Sequence, residues 1–417
     1  MTRTLCSALL AMAVIASAQA QFAPAVDTAA SLSVPERYAL TNATVLDGRG
    51  GPAQRNRVIV IEAGRIAAIG RSAPHGLQVY DLKGATVLPG LMDAHVHIAD
   101  FAAMRKALDQ GVTTARSMGV PKFTDVGLRD LARAGAVAGP ELFAAGYHFY
   151  PRPPETFFTD FPQFAEVLSG GLKGADLMGR IAEAQLARGI DWIKVNATAR
   201  ASQPGDDPAQ VLYGEAEIAA LVRAGASRRV HVAAHAHGDD GARDALRAGA
   251  RSIEHATFLS DATIALAKAR GAYLVPTAVT VKNLATSTSD RIPETSRILG
   301  RRMWPALQRT VAEAHRAGVM LVAGTDTAYT PTNRLGIADE VAVLAEMGLS
   351  PAEALAAATI NAADMLGIGH RTGAVAVGLE ADLLVVRGDP LADLSTLKTP
   401  LMVISDGRIA VDARENK

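Results

Sequence analysis

Twelve residues in the first quarter of the chain read Thr86-Val87-Leu88-Pro89-Gly90-Leu91-Met92-Asp93-Ala94-His95-Val96-His97. The run is apolar and strand-like, and it ends in two histidines separated by one residue. Residues two apart in an extended strand point to the same face, so both imidazoles can bind one metal ion. A His-x-His pair alone is weak evidence, because histidines on strands are more often ordinary polar side chains. The segments that follow give this pair its significance.

Further short β-rich segments carry a potential ligand near their C-terminal ends, with helix-like stretches between them. These ligands are Lys194, His235, His255 and Asp326. Strands that alternate with helices predict a parallel sheet, and reactive residues at strand C-termini are typical of a closed (β/α)8 TIM barrel. Apolar or β-branched runs begin near Thr86, Thr113, Glu141, Trp192, Val230, Ser252, Tyr273 and Met320. The sequence therefore predicts an α/β fold with a barrel over residues 86–368 and ligands on strands 1, 4, 5, 6 and 8.

The two ends of the chain have a different pattern. Residues 37–85 contain short strands around a turn-rich break at 48–52, which is typical of hairpins rather than of barrel units. Matching strands return within residues 369–412. We expect both ends to pair into one small β-sandwich domain beside the barrel.

Two features concern the helices and loops of the barrel. Ser350 and Glu353 form a capping box that predicts a last helix running to about Leu366, where Gly367 stops it. The stretch from Lys282 to Pro305 lacks clear periodicity, which predicts a loop. We expect this loop and the one after strand 3 to form a lid and an apolar substrate pocket, with the residues Phe157, Phe158, Phe161, Met303 and Trp304.

The first twenty residues read as a secretory signal. Arg3 supplies the positive start, residues 5–15 are apolar, and Ala18-Gln19-Ala20 is a cleavage site, so we expect removal of residues 1–20. An apolar run of this length is too short to span a bilayer, which argues against a membrane anchor. The only cysteine, Cys6, leaves with the signal. A cysteine-free product agrees with a periplasmic or secreted protein.

Composition narrows the class of partner. The chain has 417 residues, enough for a barrel of about 250 residues and one smaller domain. Lysine plus arginine equal aspartate plus glutamate at 42 each, so no basic excess points to nucleic acid. We expect a small-molecule substrate.

Lys194 is the unusual candidate ligand, because an ammonium ion cannot bind a metal. A dinuclear hydrolytic site needs neutral imidazoles, a carboxylate and one short anionic bridge between two cations about 3.5–4 Å apart. A desolvated lysine has a lowered pKa, and its neutral amine can add carbon dioxide to give a bridging carbamate. The alternative is a buried lysine paired with an acid, but the strand offers no acid after Asp191.

In these segments the chain resembles the metal-dependent amidohydrolase superfamily, in the branch with a carboxylated lysine on strand 4. Within it, the chain is most similar to Xaa-Pro dipeptidases, carboxypeptidase-like enzymes and ochratoxin-type amidases. The motifs that carry this likeness are Asp191-Trp192-Ile193-Lys194-Val195, His235-Ala236-His237-Gly238, Ser252-Ile253-Glu254-His255 and Gly324-Thr325-Asp326-Thr327.

The resemblance implies two divalent metal ions, with zinc expected, and a role for each ligand. His95 and His97 would bind the more buried ion, His235 and His255 the more exposed one, and the Lys194 carbamate would bridge them. Asp326 would contact the first ion and exchange a proton with a bridging hydroxide. The resemblance also implies a homo-oligomer.

Other side chains have open roles. His237 either contacts substrate or supports a ligand, and His231, lower on the same strand, is expected to be a core histidine. The resemblance places a histidine after strand 3 at the scissile amide, which would be His148, although its surroundings depart from the usual Gly-Gly-His-Gly pattern. Tyr147, Arg152 and Trp304 are weaker candidates for substrate contacts, with Arg152 facing a substrate carboxylate.

The functional prediction is hydrolysis of an amide or peptide bond in dipeptides or N-acyl amino acids with a hydrophobic group. A mononuclear deaminase or imidazolonepropionase-like enzyme lacks the strand 4 lysine, so Lys194 argues against it. A lactonase, organophosphate hydrolase or cyclic-amide hydrolase remains an alternative. A non-catalytic binding protein of the same fold is another, although such proteins typically lose ligands.

Overall fold

The computed structural model describes residues 36–201, 206–289 and 292–414. The predicted signal peptide, residues 1–20, lies outside these ranges. The strands in chain order are β1 (Arg37–Val45), β2 (Gln54–Glu62), β3 (Arg65–Gly70), β4 (Gln78–Asp81), β5 (Thr86–Pro89), β6 (Leu91–Val96), β7 (Val112–Ser117), β8 (Glu141–Ala144), β9 (Trp192–Asn196), β10 (His231–Ala236), β11 (Ser252–His255), β12 (Tyr273–Val275), β13 (Met320–Leu321), β14 (Leu383–Val386), β15 (Met402–Ser405) and β16 (Arg408–Asp412).

The helices surround the middle strands. They are α1 (Phe101–Asp109), α2 (Thr124–Arg133), α3 (Glu155–Asp160), α4 (Val167–Gly170), α5 (Ala175–Ala187), α6 (Glu215–Ala226), α7 (Asp239–Ala248), α8 (Asp261–Arg270), α9 (Ala278–Thr286), α10 (Glu294–Ala317), α11 (Ile337–Glu346), α12 (Pro351–Ala357) and α13 (Ile360–Leu366). In the described ranges, no helix combines the length and the apolar character needed to cross a bilayer.

Strands from both chain ends form one mixed sheet of eight strands. At its centre, β5 pairs in parallel with β1 and antiparallel with β14, so Thr86–Pro89 lies against Leu383–Val386. The two ends therefore meet as expected. Their hydrogen bonds form a single sheet, and the division of that sheet into the two layers of a sandwich stays a prediction.

Gly90 divides the run of residues 86–97 between two sheets. Residues before it belong to β5 of the end sheet, and those after it begin β6 of the parallel strands. A Cβ at Gly90 would lie 2.2 Å from Oγ1 of Thr113, so only glycine fits at this crossing. The prediction of one barrel strand starting at Thr86 was wrong, because the apolar pattern continues across the crossing without a polar break.

Eight parallel strands follow each other along the chain, in a sheet of three (β6–β8) and a sheet of five (β9–β13). Backbone hydrogen bonds link the two sheets at both edges. At one edge, Phe149 donates to the Lys194 carbonyl at 2.8 Å and accepts from Asn196 at 3.0 Å. At the other edge, His97 donates to the Thr327 carbonyl at 2.8 Å. The predicted alternation of strands and helices is therefore present.

A buried cluster connects the two sheets below the C-terminal strand ends. It includes Met92 of β6, Trp192 of β9, Ala233 of β10, Tyr273 of β12 and Val322 just after β13. These side chains are at most 6% exposed, so they form a packed floor rather than a pore. The candidate ligands at the strand ends therefore stand on a packed support.

The segment from Lys282 to Pro305 is mostly helical, in α9 and α10, so the predicted loop was wrong. Gly300 and Pro305 interrupt the helical pattern in the sequence, yet both lie inside α10. A Cβ at Gly300 would lie 2.6 Å from the backbone of α9, which shows that glycine permits close packing of these helices. The glycine that allows α9 and α10 to pack closely therefore weakens the helical periodicity of the sequence.

The last predicted helix is present but broken. The Ser350 hydroxyl accepts from the Glu353 amide, and Glu353 accepts in return, as the capping box requires. The chain then leaves helical geometry at Thr359, which separates α12 from α13. Gly367 ends α13 with φ of 76°, as predicted.

Candidate active site

The C-terminal ends of the parallel strands surround a cavity of about 260 Å³. All the predicted metal ligands line this cavity, and so do His148 and His237. The other lining residues are Met118, Gly119, Asn196, Arg200, Ala201, Thr277, Thr280, Val281 and Leu284. The strand order therefore brings together ligands that are far apart in sequence.

One potential metal-binding cluster contains His95, His97 and Asp326, whose ligand atoms lie within 4.8 Å of one another. Oδ1 of Asp326 lies 3.0 Å from Nε2 of His97 and 3.6 Å from Nε2 of His95. The backbone of Asp326 has φ of 56°, and its amide donates to the His95 carbonyl at 2.7 Å. This left-handed turn fixes the carboxylate beside the imidazoles.

A second cluster contains His235, His237 and His255, again with ligand atoms within 4.8 Å. Each ring has one nitrogen occupied by an orienting group. Nδ1 of His255 lies 2.7 Å from the Thr277 hydroxyl, Nδ1 of His237 lies 2.8 Å from the Thr257 hydroxyl, and Nε2 of His235 lies 3.1 Å from the Ala199 carbonyl. The other nitrogen of each ring is left to bind a metal. His237 therefore lies with the candidate ligands, while His231, expected in the core, is exposed at the start of β10.

Lys194 belongs to the same cavity, with Nζ at 3.0 Å from Nε2 of His95. Its side chain is buried, and burial lowers its pKa to about 8. Asp191, the nearest acid in sequence, instead pairs with Arg129 at 2.6 Å. Among the ion pairs of residues 36–201, 206–289 and 292–414, none involves Lys194, so the reading of a lysine paired with an acid gains no support.

The electrostatics of the site favour neutral imidazoles. Burial lowers the pKa of both His95 and His237 to about 4, and it lowers those of His235 and His255 well below their usual value. Burial alone would raise the pKa of Asp326, but the hydrogen bond from His97 and the field of neighbouring groups lower it overall. Neutral rings and an ionised carboxylate are the forms that bind a divalent cation, so the donor set fits two such ions.

A buried network that was not predicted from the sequence lies beneath His95. Oε2 of Glu254 lies 2.7 Å from Nδ1 of His95, and its Oε1 accepts from Arg116 at 2.8 Å and from Ser252 at 2.5 Å. Arg116 is fully buried and stacks over the Trp192 ring at 4.5 Å. Glu254 thereby directs Nε2 of His95 toward the cavity. The sequence feature that could have indicated this network is Glu254, a glutamate directly before the candidate ligand His255.

Neighbouring strand residues normally point to opposite faces, yet both Glu254 and His255 reach His95. The His255 ring lies 5.1 Å from that of His95, and its backbone has φ of 69°. This positive φ turns the end of β11 so that the ligand and its supporting carboxylate share one side. The alternation of residues along a strand, taken alone, does not predict this positive φ at His255.

A second missed network holds the segment that carries Asp326. The buried Asp93 carboxylate accepts from the Thr325 amide at 2.9 Å, the Thr325 hydroxyl at 2.7 Å and the Tyr329 hydroxyl at 2.8 Å. Asp93 lies two residues before His95 on β6, so the two side chains point to the same face of the strand. This spacing could have indicated that Asp93 lies near the candidate site. The network couples the first and last strands of the parallel set.

His148 reaches the cavity, but its Nε2 accepts a hydrogen bond from Arg200. A guanidinium can only donate, so this imidazole is neutral. Burial and the charges of Arg200 and Lys194 also lower its pKa well below the usual value. In this arrangement Nε2 of His148 is not free to donate to a substrate carbonyl.

The predicted substrate contacts do not line the cavity. The Tyr147 hydroxyl donates to Asp160 at 2.7 Å, and its ring packs against Phe123 and Phe157. Arg152 is exposed, and Trp304 packs against the core. The apolar pocket predicted from Phe157, Phe158, Phe161, Met303 and Trp304 was therefore wrong, because these side chains pack with one another or with the core.

The chain is similar to proteins of known family. A profile of the Amidohydrolase family matches residues 86–410. An uncharacterised protein of Mycobacterium tuberculosis is 32% identical over 337 residues, which cover 78% of this chain and 85% of that protein. The ochratoxinase of Aspergillus niger is 26% identical over 411 residues, covering 86% and 83%. The structure of a Xaa-Pro dipeptidase with bound methionine has a TM-score of 0.81 at 27% identity, covering 89% of this chain and 99% of that one.

Proposed function

Because this chain belongs to the amidohydrolase family and is a hydrolase of amide bonds, we propose that it cleaves dipeptides or N-acyl amino acids with a hydrophobic group. The convergence of two histidine-containing clusters and a buried lysine on one cavity carries this proposal. We also propose that the two parallel sheets close into one (β/α)8 barrel, which the hydrogen bonds at both edges support.

The proposed cofactors are two divalent metal ions. His95, His97 and Asp326 would hold one ion, and His235 and His255 would hold the other, with His237 beside them. Lys194, as a carbamate formed with carbon dioxide, would contribute a ligand to both. When bound, the ions supply Lewis acidity, which activates water and polarises an amide carbonyl. Imidazole and carboxylate ligands suit zinc.

The side chains of this chain would divide the remaining work. Asp326 accepts a proton from the attacking water and returns it to the leaving nitrogen. The backbone amide of Asp326 donates to the His95 carbonyl at 2.7 Å, and this hydrogen bond orients the carboxylate. Glu254 fixes the ring of His95, and the apolar side chains of Met118, Val281 and Leu284 exclude water from part of the cavity.

The hydrophobic wall of the cavity defines the first experiment. We expect the zinc-loaded protein to hydrolyse N-acyl-phenylalanine with a kcat/KM about ten- to a hundredfold above that for N-acyl-glycine, since burial of apolar area contributes about 25 cal/mol per Å². Dipeptides, a lactone and an organophosphate ester complete the screen. Preference for the lactone or the ester would contradict the amidase proposal, and absence of any turnover would favour a binding protein.

The metal content provides a separate test. We expect about two equivalents of zinc per chain after mild purification, measured by elemental analysis. His235→Ala should lower this content, whereas His231→Ala, at the exposed start of the same strand, should leave it unchanged. A content that stays at one equivalent with added zinc and bicarbonate would refute the dinuclear site.

The location and assembly complete the proposal. We propose that residues 1–20 are removed on export and that the enzyme acts in the periplasm or outside the cell. N-terminal sequencing of the exported protein should then begin at Gln21. A homo-oligomer is proposed from the family resemblance, and light scattering would measure its mass.

A further inference from the structure

Arg200 is a cavity residue to which the proposed reaction gives no role. It follows β9 and lines the same cavity as Lys194 and His148. Its guanidinium lies 4.5 Å from the centre of the Tyr150 ring and donates to Nε2 of His148. The aromatic ring and the imidazole hold the guanidinium in place beside the catalytic groups.

Among the described residues no ion pair balances the charge of Arg200, whereas the charges of the buried Arg116 and Arg129 are balanced. Arg116 pairs with Glu254 at 2.8 Å, and Arg129 pairs with Asp191 at 2.6 Å. For Arg200, no carboxylate of the described residues lies within ion-pair distance, and Asp206 contacts the Tyr150 hydroxyl at 3.4 Å instead. Arg200 therefore presents to the cavity a positive charge that pairs with no carboxylate of the described residues.

The planar guanidinium of Arg200 determines which kind of anion it can bind. The group carries five N–H donors in one plane, and the contact with His148 uses one of them. The remaining donors suit the two oxygens of a planar carboxylate. Apolar side chains of Met118, Val281 and Leu284 line the same cavity, so an organic acid with a hydrophobic side chain matches both features.

We propose that Arg200 binds the free carboxylate of the substrate and so selects amide bonds next to a terminal carboxyl group. This inference rests on the proposed amidase function. Arg200 takes the role that the sequence suggested for the exposed Arg152. His148, held by the same guanidinium, positions Arg200 rather than polarising the carbonyl.

The kinetic test compares N-acetyl-L-phenylalanine with N-acetyl-2-phenylethylamine, which lacks only the carboxylate. We expect Arg200→Ala to lower kcat/KM for the acid about ten- to a hundredfold, since a hydrogen bond to a charged group is worth about that much. The rate for the neutral amide should stay nearly constant. Arg200→Lys should show an intermediate loss, and Arg152→Ala should keep the wild-type ratio of the two rates. An unchanged ratio in Arg200→Ala would overturn the proposal.

A binding measurement separates this inference from the proposed function. Calorimetry on the zinc-loaded protein would compare 3-phenylpropanoate with 3-phenylpropanol. We expect Arg200→Ala to weaken binding of the acid about ten- to a hundredfold and to leave binding of the alcohol unchanged. This result supports the role of Arg200 even if no amide is hydrolysed, which would refute only the amidase function. Equal weakening of both ligands, or of neither, would overturn the role of Arg200.

Discussion

Lys194→Ala is expected to lower kcat/KM by about a thousandfold or more. The proposed carbamate supplies a ligand to both metal ions, so its loss removes several kcal/mol of charge stabilisation, and each 1.36 kcal/mol corresponds to tenfold in rate. The metal content should fall in parallel, because Nζ of Lys194 lies 3.0 Å from Nε2 of His95, at the centre of the donor set. Steady-state kinetics and elemental analysis of the same samples measure both effects.

The control is Lys173→Ala, at an exposed lysine, which should retain wild-type rate and metal content. A short carboxylic acid added with zinc should partly restore the activity of Lys194→Ala, since its two oxygens can replace those of the carbamate. In the wild-type protein, ¹³C NMR after incubation with labelled bicarbonate should detect the carbamate carbon. If Lys194→Ala keeps its zinc and its rate, Lys194 has only a structural role.

Asp326→Asn is expected to reduce kcat by about a hundred- to ten-thousandfold, the range for loss of a general acid–base group. The amide has nearly the shape of the carboxylate, so the hydrogen-bonded turn after β13 should remain folded. The carboxylate can accept a proton from water, whereas the amide cannot. Pre-steady-state kinetics with N-acyl-phenylalanine would measure the loss in the chemical step.

Two controls accompany this substitution. Asp176→Asn, at an exposed aspartate on α5, should leave kcat unchanged. Circular dichroism and zinc content of Asp326→Asn should show that the fold survives and how much metal remains. A loss of tenfold or less with full zinc content would assign the proton transfer to another group.

Much of the fold could be predicted because hydrophobic periodicity and strand ends are local signals. The starts of the parallel strands were found because each run is apolar and bounded by polar or turn residues. The extent of the first strand was misjudged, since the crossing at Gly90 depends on Thr113 of the neighbouring strand. The helix over residues 294–305 was not predicted, because Gly300 interrupts the hydrophobic periodicity. The structure shows that this glycine allows α10 to pack closely against α9.

The meeting of the candidate ligands in one cavity could be predicted, because metal binding restricts residue type and position together. The residues around them could not, since hydrogen bonds such as that from Arg116 to Glu254 connect strands by side-chain reach rather than by sequence spacing. Arg200 was missed for the same reason. Its partners, Tyr150 and His148, follow a different strand, and only the folded chain shows that its charge faces the cavity.

The order in which the chain folds follows from the sheet that joins its ends. Val87 on β5 pairs with Val385 on β14, so a strand directly before the candidate metal ligands is completed by residues that are made much later. Contacts this distant in sequence form slowly, because long loops must close first. During translation the segment with His95 and His97 therefore lacks its final support until β14 has been made. Nonsense mutations upstream of Leu383 would remove β14 and leave the edge of β5 unpaired beside the residues of the candidate site.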